Sequence, residues 1–251
     1  MKLELNGRVA VVTGAARNIG RAIALELASA GAAVVVNAQH SAAAAAEVVD
    51  TIEQRGGRAL LHLADISTPD GAQGLFDAAA AHFGGVNILV NNAALRREVP
   101  FEQLDWLQWR EVLSVILDGA YLCCHAALPA LQAAQDAAII NIGGMSAHTG
   151  SAGRAHVIAA KAGLVGLTRA LSHDLGEQGI TVNCVVPGMI DTVRGAATGH
   201  SAPAHHVKSQ PLVGRRGSPE DVAQMVAFLV GPRARYLTGQ VLHCNGGAFL
   251  P

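Results

Sequence analysis

The chain has 251 residues, 51% of them apolar and 15% charged, which is enough to bury the large core of one α/β domain. A formal net charge of −1 gives no broad basic field for a polyanion, which argues against a nucleic-acid partner and for a small molecule. Residues 1–7 lack the charged, apolar and cleavage regions of a secretory signal. The apolar runs are short and broken by Gly, Asp or Asn, below the roughly 18 residues of a membrane-spanning helix. A cytoplasmic location without a membrane partner is the expectation.

Short, almost continuously apolar runs lie at residues 9–13, 34–37, 59–64, 88–91, 139–142, 181–186 and 240–244. Strands buried on both faces have this composition, and the longer Ala- and Leu-rich segments between them supply right-handed crossovers. The pattern predicts one doubly wound α/β domain over residues 1–251, with a seven-stranded parallel sheet and helices on both faces.

The first run ends in Thr13-Gly14-Ala15-Ala16-Arg17-Asn18-Ile19-Gly20 and passes into a helix near Arg21. Gly14 permits a tight turn and Gly20 lets helix and strand approach, while the helix N-terminus offers N–H groups and a positive dipole end to a pyrophosphate. The Ala-rich run at 42–46 continues with helical spacing and is read as a helix. Ser67-Thr68-Pro69-Asp70 and Ser218-Pro219-Glu220-Asp221 each place Pro in a first helical turn.

Trp106, Trp109 and Tyr121 are expected in the core. Cys123, Cys124, Cys184 and Cys244 lack metal-ligand spacing and read as buried free thiols. The helix over 155–176 carries an apolar stripe of Val157, Leu164, Leu167 and Leu171, serving either core burial or contact between subunits. The irregular stretch over 191–217 is a candidate substrate lid. Its His200, His205 and His206 are read as loop residues, so no metal site is expected.

Asp65 after the third run, Asn91-Asn92-Ala93-Ala94 after the fourth, Lys161 on a long helix and Asn183-Cys184-Val185-Val186-Pro187-Gly188 at the sixth complete a pattern. With the Gly-rich turn, it resembles the short-chain dehydrogenase/reductase family and its 3-oxoacyl-acyl-carrier-protein-reductase-like members, over essentially the whole chain. The resemblance implies a Rossmann fold. It also implies that Gly14, Arg17, Asn18, Ile19 and Gly20 surround the phosphates, that Asp65 and Ile66 meet adenine, and that Asn91 and Ala93 line the adenosine side. Lys161 would meet the ribose, and Pro187, Gly188 and Thr192 would lie toward the nicotinamide. Asn18 stands where the family has Gly, and Asn tolerates positive φ better than most residues.

The end of the second run, Asn37-Ala38-Gln39-His40, has no carboxylate to bond a ribose 2′-OH or repel a 2′-phosphate. Arg17 stands as in NADP-preferring members of the family and could pair with that phosphate. NADP(H) is therefore expected over NAD(H).

The family's catalytic Tyr lies four residues before its Lys, and here that residue is Val157. The family's Ser aligns with Gly144 and its Asn with Ile116, so only Lys161 remains of the tetrad. Without a positioned acid and a hydrogen-bond donor, ordinary carbonyl reduction loses about 10²–10⁴ in rate for each. Ser146 and His148 are the candidates for replacing them. Arg96 and Arg97 could meet an anionic substrate.

Two functions follow. One is an NADP(H)-dependent oxidoreductase, or an offshoot without redox chemistry, acting on a small carbonyl or hydroxy compound through His148 or Ser146 with Lys161. The other is a catalytically silent subunit of a homodimer or homotetramer, or of a hetero-oligomer with an active relative.

Overall fold

The computed structural model describes residues 4–192 and 211–251. Its strands are β1 (Val9–Val12), β2 (Ala33–Ala38), β3 (Arg58–Leu63), β4 (Ile88–Asn91), β5 (Ala138–Ile142), β6 (Thr181–Pro187) and β7 (Val241–Cys244). Each falls within about a residue of its apolar run. They form one sheet in the order β3-β2-β1-β4-β5-β6-β7, parallel throughout.

Period-2 alternation explains why the strands are apolar on both faces. Ala10, Val12, Val34, Val36, Ile88, Val90 and Ile140 point into one core layer, against α1 (Asn18–Ser29), α2 (Ala42–Gln54) and α8 (Pro219–Val230). Val11, Val35, Leu89, Ile139 and Val182 point into the other, against α3 (Pro69–Phe83) and α5 (Gly119–Ala133). The strand order reverses between β1 and β4, and a crevice opens at such a switch point outside the carboxyl ends of the strands.

The helix starts carry their predicted caps. Thr68 Oγ1 accepts from Gly71 N at 3.1 Å, and Ser218 forms a capping box with Asp221. Ala42–Ala46 opens α2, as read.

Two expectations are corrected. Trp106 and Tyr121 are surface residues, 70% and 53% exposed, because Val112, Cys123 and Cys124 occupy the inward face of their helices. The apolar runs also join further than their breaks suggested. α4 (Trp106–Leu113), a π-helical turn over Ser114–Asp118 and α5 continue as one helix, Trp106–Ala133, long and apolar enough by length and composition to cross a membrane. Here its Cys123, Cys124, Ala127 and Leu131 face the sheet core.

The four cysteines are free; three are buried and Cys244 is half-buried. The apolar stripe of α7 (Ala155–Leu175) is absorbed by the core, Val157, Leu164 and Leu167 packing with Val112 and Ile116, and Leu171 on the sheet layer. Of the candidate lid, residues 193–210, including the three histidines, lie outside the described residues. Its flanks meet: Ile190 bridges Gly217, Asp191 N donates to Gly217 O at 2.8 Å, and Arg216 pairs with Asp191.

A methyl group on Gly20 would stand 2.3 Å from Gly14 O and 2.5 Å from Asn92 Nδ2. Gly20→Ala should therefore destabilise the fold by about 1–3 kcal/mol, the usual cost of forced overpacking, read as a lower denaturation midpoint in urea.

Candidate active site

A cavity of about 920 Å³ runs along the carboxyl edge of the sheet, from the turn after β1 to the start of α7. Its floor is the β1–α1 turn. Gly14 holds a φ of 61°, and a side chain there would strike Ala93 Cα at 2.9 Å. Asn18 adopts the left-handed conformation expected of it, with φ 51°. No side chain caps α1 at Arg17, so the positive end of the helix faces the cavity that Arg17, Asn18, Ile19 and Gly20 line.

Asn92 keeps this turn in place. Its Nδ2 donates to Thr13 O at 2.9 Å and Gly14 O at 3.0 Å, while Thr13 Oγ1 accepts from the backbone N–H groups of Asn92 and Ala93. Asn91 points the other way. Its Nδ2 donates to Asn141 Oδ1 at 2.9 Å in the interior, and Asn141 donates on to Thr168 Oγ1. The expectation that Asn91 lines the cavity is thus corrected: alternation along β4 buries it, and Asn92 takes the wall with Ala93.

At the β2–β3 end, Asn37, Gln39, Asp65 and Ile66 line the cavity. The Asn37 side chain is spent on backbone, its Nδ2 donating to His62 O and Ala64 O. Asp65 Oδ1 accepts from Ser67 Oγ at 2.6 Å and Ser67 N at 2.9 Å, and the Ser67 hydroxyl chiefly holds its pKa below the ordinary value. Pro187, Gly188 and Thr192 line the far side, and a side chain on Gly188 would meet Asn245 at 2.6 Å.

The remaining wall comes from β5 and α7. Gly144, Ser146, Val157 and Lys161 all line it, as does Arg154, which the sequence reading missed. Arg154 lies seven residues before Lys161, close to two helical turns, so helical periodicity could have found it. Its Nη1 donates to Ser146 Oγ at 3.4 Å. Lys161 Nζ donates to Ile142 O, and the pKa of this buried lysine is lowered to about 7. Desolvation is the main cause, followed by the charge of Arg96; Cys184 opposes the shift and Arg154 adds to it. The chain has two tyrosines. Tyr121 and Tyr236 are exposed, and neither lines the cavity.

One further expectation is corrected. His148 is not on the cavity wall. Its ring stacks edge-on against His243 with centroids 4.6 Å apart and lies 6.1 Å from Phe249, a cluster in which burial chiefly lowers both histidine pKa values. Ile116 does not reach the cavity either. It is buried against Val157, and Val115 lines the wall instead, because the π-helical turn sets the local direction of the side chains. His156, beside Val157, is fully buried and off the wall.

The arrangement is that of a dinucleotide-binding oxidoreductase, and the comparisons with known proteins agree. Residues 14–248 match the family described as enoyl-(acyl carrier protein) reductase. The chain is 36% identical over 249 residues to the 3-oxoacyl-[acyl-carrier-protein] reductase FabG of Vibrio cholerae, covering 99% of this chain and all of that one. A short-chain dehydrogenase from Burkholderia cenocepacia, solved in complex with NADP, superposes with a TM-score of 0.91 at 38% identity, covering 98% of this chain and 99% of that one. A blue fluorescent protein from a metagenomic library, solved with NADPH, superposes at 0.90 with 34% identity, covering 98% and 100%. The chain belongs to the short-chain dehydrogenase/reductase family of NAD(P)-dependent oxidoreductases.

Lys161 also links stability to pH. Because its folded pKa is depressed, the unfolded chain binds a proton that the folded chain does not at pH values above about 7. Stability should rise with pH by up to ~1.4 kcal/mol per unit between about 7 and 8. Above that range the buried thiols of Cys123, Cys124 and Cys184, all with raised pKa, reverse the sign. Lys161→Met should flatten the rise in urea titrations between about pH 7 and 8.

Proposed function

We propose that this chain binds NADP(H) in preference to NAD(H) and that its ordinary carbonyl-reducing activity is weak. Of the four positions at which the family carries its tetrad, Lys161 alone keeps a functional group. The observation that carries the reading is the make-up of the wall around Lys161. Val157 and Gly144 stand on it, and both tyrosines of the chain lie elsewhere on the surface.

The cradle fits a dinucleotide. At Gly14, Gly20 and Gly188 any Cβ would collide with neighbouring backbone, so glycine lets the turn and the facing walls pack tightly beside the uncapped end of α1, whose N–H groups can meet a pyrophosphate. When bound, NADP(H) supplies hydride exchange. Arg17 is a cation lining the phosphate turn, and no carboxylate from β2 opposes it. Asp65, at the end of β3, is already bonded to Ser67. The relatives solved with NADP and NADPH support binding of NADP(H).

What the chain lacks is a hydroxyl at 144 or 157 to give a proton or hydrogen bond to oxygen as negative charge develops there. Lys161 directs its own hydrogen bond at Ile142 O. Ser146 is the hydroxyl present on this wall, and with Lys161 it defines the second reading, an enzyme on an unusual substrate. A silent subunit that pairs with a second copy or a relative is the third. The exposed Trp106, Leu107 and Tyr121 support that one.

Fluorescence titration should give tighter binding of NADPH than of NADH, and Arg17→Ala should narrow the gap. The pair Gly144→Ser and Val157→Tyr should raise NADPH oxidation over a panel of small carbonyls by about 10²-fold or more. A Cβ at 144 has Lys161 Cγ at 3.9 Å as its nearest neighbour, so serine fits there. Unmodified protein that already turns over as fast as the double variant would overturn the proposal.

A further inference from the structure

Lys161 brings a primary amine to the cavity wall. The residue is only 8% exposed, its Nζ donates to Ile142 O, and among the described residues it enters no ion pair. A carbonyl accepts from an ammonium and from a neutral amine alike, so this bond orients Nζ without requiring its positive charge. The neighbouring Cys184 thiol, the one group that favours the charged lysine, has its own pKa pushed up to about 11 by burial and stays protonated at neutral pH. Desolvation thus dominates and lowers the lysine pKa to about 7, with Arg96 after β4 and Arg154 at the start of α7 adding to the shift. About half of the molecules then offer a nitrogen lone pair at neutral pH, against on the order of one in 10³ for an ordinary lysine.

The space beside this amine is open. A Cβ on Gly144 would have Lys161 Cγ, at 3.9 Å, as its one neighbour within 4 Å among the described residues. Val157, four residues before the lysine, lines the same wall without a polar atom, and Leu95, Val115 and Ile142 extend its apolar character. A small carbonyl compound in this space meets a nucleophile where positions 144 and 157 hold no proton donor.

We propose that Lys161 is a nucleophile that captures a small apolar aldehyde or ketone as a Schiff base. This activity goes beyond the reading above and does not depend on which dinucleotide binds. The nitrogen lone pair adds to the carbonyl carbon while the C–O π pair moves onto oxygen. One nitrogen proton passes to that oxygen, a proton from solvent completes the leaving group, and water departs as the C=N bond forms. No electrons are gained or lost. The protonated imine keeps a single N–H, and Ile142 O, the present acceptor of Nζ, can receive it and stabilise the positive charge.

The test traps the full chain with butanal and sodium cyanoborohydride, which reduces an iminium to a stable butylamine, and reads the products by peptide mass spectrometry. The chain has three lysines, so Lys2 and Lys208 serve as references for Lys161 in the same sample. At about pH 7 Lys161 should be labelled at least ~10²-fold faster than either, and that ratio should shrink as pH rises toward about 10. Labelling of Lys161 should saturate with butanal concentration, as a cavity-bound ligand requires, and in urea the three lysines should react alike. Equal labelling in the folded chain, no butyl group on Lys161, labelling that never saturates, or a preference for Lys161 that survives in urea would each overturn the proposal. NADPH binding, titrated in parallel, tests the cofactor reading by itself: a chain that captures butanal but binds no NADPH overturns that reading alone.

Discussion

A side-chain amide ties together the two strands between which the strand order reverses. Asn92, just beyond β4, donates to the carbonyls of Thr13 and Gly14 at the end of β1, and the Thr13 hydroxyl accepts two backbone N–H groups in return. These bonds fix the gap between the phosphate turn and the opposite wall before any ligand arrives. The absence of side chains at Gly14 and Gly20 is a condition of the same contact, because a methyl group at either would enter the space that Ala93 and Asn92 occupy. The contact holds the turn after β1 against the segment after β4, beside the N-terminus of α1.

A second polar chain lies beneath the other end. Asn91 donates to Asn141, and Asn141 to Thr168, linking β4, β5 and α7 through the interior. Buried polar groups are costly unless paired, and the amide donors of Asn91 and Asn141 are paired in sequence while Asn91 Oδ1 stays unpaired, so the chain ties α7 to β4 and β5. Arg154 at the start of that helix, and Val157 and Lys161 within it, line the cavity. The frame that positions the long helix is thus intact.

Fold and cofactor turn were legible because they rest on local rules. Both-face apolar runs report a buried parallel sheet, and an Asn in place of Gly reports a positive φ that short polar residues tolerate. What escaped depended on register and on distant packing. Asn91 and Asn92 are identical neighbours, and only the phase of β4 decides which one is buried. The π-helical turn over Ser114–Asp118 is a departure from 3.6-residue periodicity that composition does not announce. His148 is drawn away by His243 and Phe249, nearly a hundred residues downstream. Arg154, by contrast, was within reach of simple helical counting from Lys161.

The parallel bridge between Ile190 and Gly217, reinforced by the pair of Arg216 with Asp191, has a consequence for how this scaffold can vary. Because the ends of the intervening stretch are tied to each other, the ordering of those ends is settled independently of what connects them. Closing a flexible connection costs only about 0.6 kcal/mol more for each doubling of its length. The domain can thus accept insertions or exchanged sequences between these anchors with little effect on the sheet, and substrate range can drift while the cofactor frame is inherited unchanged.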